Sequence, residues 1–161
     1  MGIRRLNHAV LYVRDVDRSV AFYRDLLGFR VVTEFPGQAA FLRAADSDND
    51  HDLGLFRVGA DAVGPVAGQV GLYHLAWSVR TLPELAEFAR VLTAAGSLVG
   101  ASDHGVSKSL YAKDPDGVEF EVSWFVPRER VTADMAAAGA PRALDIDAEI
   151  SRWGADVVGA L

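Results

Sequence analysis

The sequence predicts an α+β fold: two βαβββ modules forming a half-open mixed β-sheet barrel, with a helical tail appended after them. Two observations predict it. A strand-like run with histidine in third place occurs twice, as Leu6-Asn7-His8-Ala9-Val10-Leu11-Tyr12-Val13 and as Leu72-Tyr73-His74-Leu75-Ala76-Trp77-Ser78-Val79, 66 positions apart. After each copy a helix signal follows, so each half reads strand, helix, strands.

Module one covers residues 1–58. Its helix opens at Asp15 or Asp17 as N-cap, carries apolar Val20, Tyr23, Leu26 and Leu27, and stops at Gly28. Strands are expected over 30–34, 39–44 and 52–58. Residues 59–71, rich in Gly, Ala and Val, read as a connection. Module two covers 72–126 and opens its helix with a capping box from Thr81 to Glu84. Leu85, Phe88, Ala89 and Leu92 then recur at helical spacing up to Gly96.

Strands follow over 97–99, 107–113 and 118–125. The last two are joined by Asp114-Pro115-Asp116-Gly117, where Pro fixes φ and Gly supplies a positive φ for a tight turn. Residues 127–161 form the tail: an Ala/Gly-rich stretch at 136–140, then a helical segment with Ile146, Ile150, Trp153 and Val157. That helix is expected to pack on the body or on a second subunit. The modules are expected to share one structural domain, because 161 residues suffice for one sizeable core.

Composition narrows the chemistry. Half of the residues are hydrophobic and 24% are charged, which is ordinary globular usage. The net charge of −6 gives no basic field for a phosphate backbone or an anionic bilayer, so neither nucleic acid nor membrane is an expected partner. Cysteine is absent, which rules out disulfides, thiolate nucleophiles and thiolate metal sites. Any metal must be held by histidine and carboxylate. Arg4 and Arg5 are followed by no apolar leader segment, and a cytoplasmic location is expected.

Side chains alternate faces along a strand, so Glu119, Glu121 and Ser123 share one face of the final strand. Placing the first strand of each module beside its last strand brings His8, His74 and Glu121 within reach of one point. Two imidazoles and a carboxylate with open positions opposite form the facial triad of non-haem Fe(II) oxygenases, and Mn(II) or Zn(II) sites use similar ligands. The position in module one that corresponds to Glu121 is Gly54, 46 residues after His8 where Glu121 is 47 after His74. The predicted site therefore has three protein ligands. Glu119 shares the face of Glu121 and competes for the role.

At these residues the chain resembles the vicinal oxygen chelate superfamily, which includes glyoxalase I, fosfomycin and bleomycin resistance proteins, and extradiol ring-cleaving dioxygenases. The resemblance covers about residues 3 to 126. Asp103-His104-Gly105-Val106-Ser107-Lys108-Ser109-Leu110-Tyr111, followed by Asp114-Pro115-Asp116-Gly117-Val118-Glu119-Phe120-Glu121, is similar to the end of an extradiol dioxygenase catalytic domain. The resemblance implies that His8, His74 and Glu121 hold Fe(II), that Tyr111 donates a hydrogen bond to a catecholate oxygen, that His51 is an acid–base histidine and that His104 supports the site. It implies a small aromatic diol and O2 as substrates. Familiar extradiol enzymes carry four modules where this chain has two, and the resemblance implies a homodimer, or the tail, as replacement for the missing half.

Read from residues alone, His51 sits in a polar turn, Asp46-Ser47-Asp48-Asn49-Asp50-His51-Asp52. Two other readings share the motif. A metal-dependent isomerase or fosfomycin-type transferase would use the metal as a Lewis acid. The resemblance implies that glyoxalase I needs a fourth ligand at the position of Gly54, and the segment 102–113 is not Lys/Arg-rich, with only Lys108 and Lys113, which speaks against a phosphonate. A metal-free, drug-sequestering module would have no use for two histidines and a glutamate in register.

Overall fold

A computed structural model describes residues 1–137 and 139–160; Ala138 and Leu161, both in the tail, lie outside the described residues. The chain divides into two compact units, Met1–Val66 with Pro115–Gly117, and Ala67–Asp114 with Val118–Leu161. Both repeat one topology.

Unit one runs β1 (Ala9–Val13), α1 (Val16–Leu27), β2 (Arg30–Phe35), β3 (Ala39–Arg43) and β4 (Leu53–Arg57). Its sheet has the order β1-β4-β3-β2, with β1 parallel to β4 and the other neighbours antiparallel. Asp15, not Asp17, caps α1 by accepting from the Arg18 N–H, and Gly28 ends the helix at φ 72°, a left-handed conformation that a side chain would disfavour. Val16, Val20 and Tyr23 of α1 are buried, as are Leu11, Val13, Ala40, Leu42, Leu53 and Leu55 on one face of the sheet. Leu26 and Leu27, expected on the same stripe, are only half-buried.

The turn residue Asp116 belongs to this unit. Its carboxylate accepts from Arg14 Nη1 at 2.9 Å, from Arg18 Nη2 at 2.6 Å and from the Arg14 backbone N–H at 3.0 Å. A buried carboxylate with two guanidinium donors meets the requirement that a charge taken out of water be paired.

Unit two runs β5 (His74–Ser78), α2 (Leu82–Ala94), β6 (Leu98–Asp103), β7 (Ser107–Lys113) and β8 (Glu119–Phe125). The sheet order is β5-β8-β7-β6, again with the first and last strands of the module parallel. The expected capping box closes α2: Thr81 accepts from the Glu84 N–H and Glu84 accepts from the Thr81 N–H. Even the irregularities repeat. β2 is bulged between Val31 and Thr33 and β6 between Leu98 and Gly100, the same place in each copy. The strands form two mixed sheets, and no closed barrel is present among the described residues.

The tail packs on unit two. After a short 3₁₀ turn (Arg128–Arg130) come α3 (Ala133–Ala136), β9 (Arg142–Ala143) and α4 (Ile146–Trp153). β9 adds to the edge of β6, which extends to Asp103 rather than ending at Val99: Gly100 to Asp103 pair with β7, and Ser102 and Asp103 pair with β9 as well. Trp153 of α4 packs on the buried Trp124, ring centroids 5.9 Å apart. The Gly159 N–H donates to the Arg80 carbonyl and the Ala160 N–H to that of Phe125. Among the described residues no helix is long and apolar enough to cross a membrane.

Candidate functional site

Cross-strand register in unit two fixes which side chains share a face. Tyr111 pairs with Glu121, Ser109 with Ser123, Ala76 with Glu121 and Ser78 with Ser123. His74, Glu121, Ser123, Ser109 and Tyr111 therefore point to one side. Lys108, Leu110, Ala112, Phe120, Val122 and Trp124 point to the other and form the core beneath the helices. Lys108 is thus on the face opposite Tyr111, while the exposed Lys113 at the end of β7 is on the Tyr111 side.

On the polar face a hydrogen-bonded chain runs through the sheet. His74 Nε2 lies 3.1 Å from Glu121 Oε2. Ser123 donates to Glu121 Oε1 at 2.6 Å, and Ser123 Oγ is 3.1 Å from Ser109 Oγ, both serines being fully buried. The Tyr111 hydroxyl lies 2.8 Å from His104 Nε2. Burial pushes the Tyr111 phenol above its ordinary value and the Glu121 charge adds to this, while a hydrogen bond with Ser109 opposes them. The phenol therefore stays protonated at neutral pH and is available as a donor.

Unit one carries the other two histidines. His8 lies just ahead of β1, although the sequence pattern included it in the strand, and its Nδ1 is 2.7 Å from Asn7 Oδ1. The His8 and His51 rings stand 4.5 Å apart, and His51 packs edge-on against Phe41 at 5.0 Å. The loop before His51 is organised by Asp52. This carboxylate is buried and accepts from the Ala44 N–H at 2.8 Å, Ser47 Oγ at 2.8 Å and Asn49 Nδ2 at 2.6 Å. The Asp52 carbonyl accepts from the Ala9 N–H. What reads in the sequence as a polar turn is a tied loop that sets His51 beside His8.

The equivalent face of unit one is apolar. Val10 pairs with Gly54 as Ala76 pairs with Glu121, so Gly54 occupies the Glu121 position in the ladder. Phe41 stands where unit two has Tyr111, and Phe56 where it has Ser123. A Cβ built on Gly54 would meet Val10 Cγ2 at 3.3 Å and Phe41 Cε1 at 3.5 Å, so a longer side chain there needs its neighbours to give way. The duplication kept the topology and divided the chemistry.

The donor set suits a divalent cation. An imidazole lone pair and a carboxylate oxygen 3.1 Å apart repel each other unless a proton or a cation lies between them. His74 Nδ1 is buried without a hydrogen-bond partner among the described residues. Among the described residues no three His, Asp or Glu side chains come close enough together to hold an ion.

A model of the Glyoxalase/Bleomycin resistance protein/Dioxygenase superfamily matches residues 5–122. The chain belongs to this superfamily. Catechol-2,3-dioxygenase of Bacillus subtilis (strain 168) is 32% identical over 76% of this chain and 42% of its own length. Metapyrocatechase 2 of Cupriavidus necator is 32% identical over 96% of this chain and 45% of its own. The chain thus spans less than half the length of either. The crystal structure of lactoylglutathione lyase from Agrobacterium tumefaciens superposes with a TM-score of 0.57 at 29% identity, over 76% of this chain and 95% of that one. The two modules match the vicinal oxygen chelate fold of the superfamily, whose members include both ring-cleaving oxygenases and a lyase.

Ser109 and Ser123 are the polar residues that sequence reasoning left without a role. Their signal was present in outline, since Ser123 shares the alternation of Glu121, but the pairing of Ser109 with Ser123 needs the register of β7 on β8.

Proposed function

We propose that the chain is a divalent-metal-dependent extradiol-type dioxygenase that opens a catechol-like aromatic diol with O2, with His8, His74 and Glu121 as the ligand set and Fe(II) as the metal. Mn(II) and Zn(II) suit the same donors. The observation that carries the reading is a phenol hydrogen-bonded to an imidazole, Tyr111 to His104, on the same sheet as a facing imidazole–carboxylate pair, His74 with Glu121. A diol presents two adjacent oxygens. His74 and Glu121 would help to hold the ion that such oxygens bind, and Tyr111 with His104 would supply a hydrogen bond to one of them.

The metal would supply Lewis acidity and a template on which both reactants are oriented. The chain's own residues then have separable tasks. Ser123 fixes one carboxylate oxygen of Glu121, which leaves the other toward His74. Tyr111, kept protonated, donates to a substrate oxygen, and His104, as the Nε2–H tautomer, donates to the Tyr111 oxygen. His51 takes a phenolic proton and returns it to the product. The open apolar face of unit one, with Val10, Tyr12, Phe41 and Phe56, has the composition an aromatic ring requires.

Gly54 favours the oxygenase over a glyoxalase-type isomerase, which would take a fourth ligand at that position. Lys108 adds nothing toward a phosphonate substrate, since it is consumed in the core. The expected partners are the aromatic substrate, O2 and a second copy of the chain, in the cytoplasm.

The test is anaerobic reconstitution with Fe(II), and in parallel with Mn(II), followed by a panel of catechols and O2. Oxygen uptake with a coloured ring-fission product is expected. A panel that elicits no uptake with either metal would sink the reading.

A further inference from the structure

We infer that the C-terminal tail is a positioning element for the His104–Tyr111 pair, acting through Glu149, Arg142 and the buried Lys108. The family match ends at residue 122, so this element lies beyond it. From the proposed reaction the inference takes only that Tyr111 and His104 meet the substrate.

Lys108 is 0% exposed. An ammonium removed from water is tolerated only when its three protons find acceptors and its charge is matched. Here Asp103 Oδ1 and the Gly105 carbonyl at 3.2 Å accept hydrogen bonds, and Glu149 Oε2 of α4 forms an ion pair with the ammonium at 3.3 Å. Asp103 Oδ1 also accepts from the Gly105 N–H at 2.8 Å, and its Oδ2 accepts from Arg142 Nη2 of β9 at 2.8 Å. Glu149 is itself steadied by Trp153, whose indole N–H donates to Oε2 at 2.7 Å. Arg152 Nη1 also lies 3.7 Å from Glu149 Oε1, so three cations face two carboxylates, and three of the five groups come from the tail.

What this cluster holds is the β6–β7 turn. His104 lies between Asp103 and Gly105, and both flanks are tied to Lys108: Asp103 by its carboxylate, Gly105 by its N–H through that carboxylate and by its carbonyl directly. The turn is closed by the His104 N–H donating to Ser107 and the Val106 N–H donating to His104. From this fixed backbone the His104 ring reaches the Tyr111 hydroxyl at 2.8 Å. Lys108 and Tyr111 lie on opposite faces of β7, so the tail supports the pair from behind the sheet without lining the site. Burial works to raise the Asp103 carboxyl, but its hydrogen bond from Lys108, the Gly105 N–H and the charges of Lys108 and Arg142 outweigh that and hold it below its ordinary value, so it remains charged.

The test reads His104 in metal-free, substrate-free protein, by long-range proton–nitrogen spectra of histidine-labelled samples held well above the imidazole titration range. In the parent, His104 is expected as one fixed neutral tautomer. Glu149→Ala is expected to average its two ring nitrogens, and Glu149→Gln, which keeps an acceptor for Lys108, to restore the single tautomer. Should Glu149→Ala fail to fold, Arg142→Ala decides, because that side chain is mostly exposed and its loss frees Asp103 Oδ2 without stranding a buried charge. A His104 pattern identical to the parent in whichever of these two alanine variants folds would overturn the inference. Failure of the ring-cleaving reaction would leave these spectra, and their answer, unchanged.

Discussion

Glu121 has its two carboxylate oxygens turned to different tasks, Oε1 to the Ser123 hydroxyl and Oε2 to His74. A carboxylate free to rotate would spend part of its time with neither oxygen toward the imidazole, so the buried serine sets the ligand's orientation. Partners that orient metal ligands are worth about 10–100-fold in metal affinity. Ser123→Ala is accordingly expected to weaken Mn(II) or Fe(II) binding by about 10–100-fold, measured by competition with a chelating dye, with the melting transition still cooperative. An unchanged affinity would show that Glu121 is held by other means. At this scale the sequence singled out His8 and His74 through the repeat, and Glu121 through the repeat together with the family resemblance. Ser109 became visible only through cross-strand pairing.

At the scale of elements, α2 is specified twice over. Its apolar spacing buries Leu82, Leu85 and Leu92, and its reciprocal cap satisfies two N–H groups that the helix cannot satisfy itself. Thr81→Ala should cost about 1 kcal/mol, read as a lower denaturant midpoint with unchanged slope; no shift would mean that α2 is held by packing alone. Elements with weak local signals behave differently. β6 runs through Gly100-Ala101-Ser102, a poor strand sequence, held by its pairing with β7 along its length and with β9 at Ser102 and Asp103. β9 is two residues long and has no periodicity for a sequence to display.

For the molecule as a whole, the buried charges bind stability to pH. Asp103 is held below its ordinary pKa in the folded chain, so its contribution is fully present above the carboxylate range of the unfolded chain and is lost as pH falls through the folded value. Asp103→Asn should therefore lower stability near neutral pH and flatten the acid limb of the stability curve, seen in thermal melts taken from neutral to acidic buffers. An acid limb as steep as the parent's would assign that dependence to other carboxylates, such as the buried Asp52 and Asp116.

By itself the sequence determined the α+β class, the two modules, the helix caps, the Asp114–Gly117 turn and the position of Gly54 in the repeat, because each is written in local spacing or in the comparison of one half with the other. Tertiary structure decided what depends on residues far apart in the chain meeting. It set Lys108 behind the sheet rather than toward the site, and it tied the polar loop before His51 to Asp52. It also joined His104 to Tyr111 and brought Glu149 and Arg142 of the tail to the turn that carries His104. The reason is physical: alternation along a strand tells which residues share a face, but the side that is buried and the partners across it follow from the register and packing of other strands.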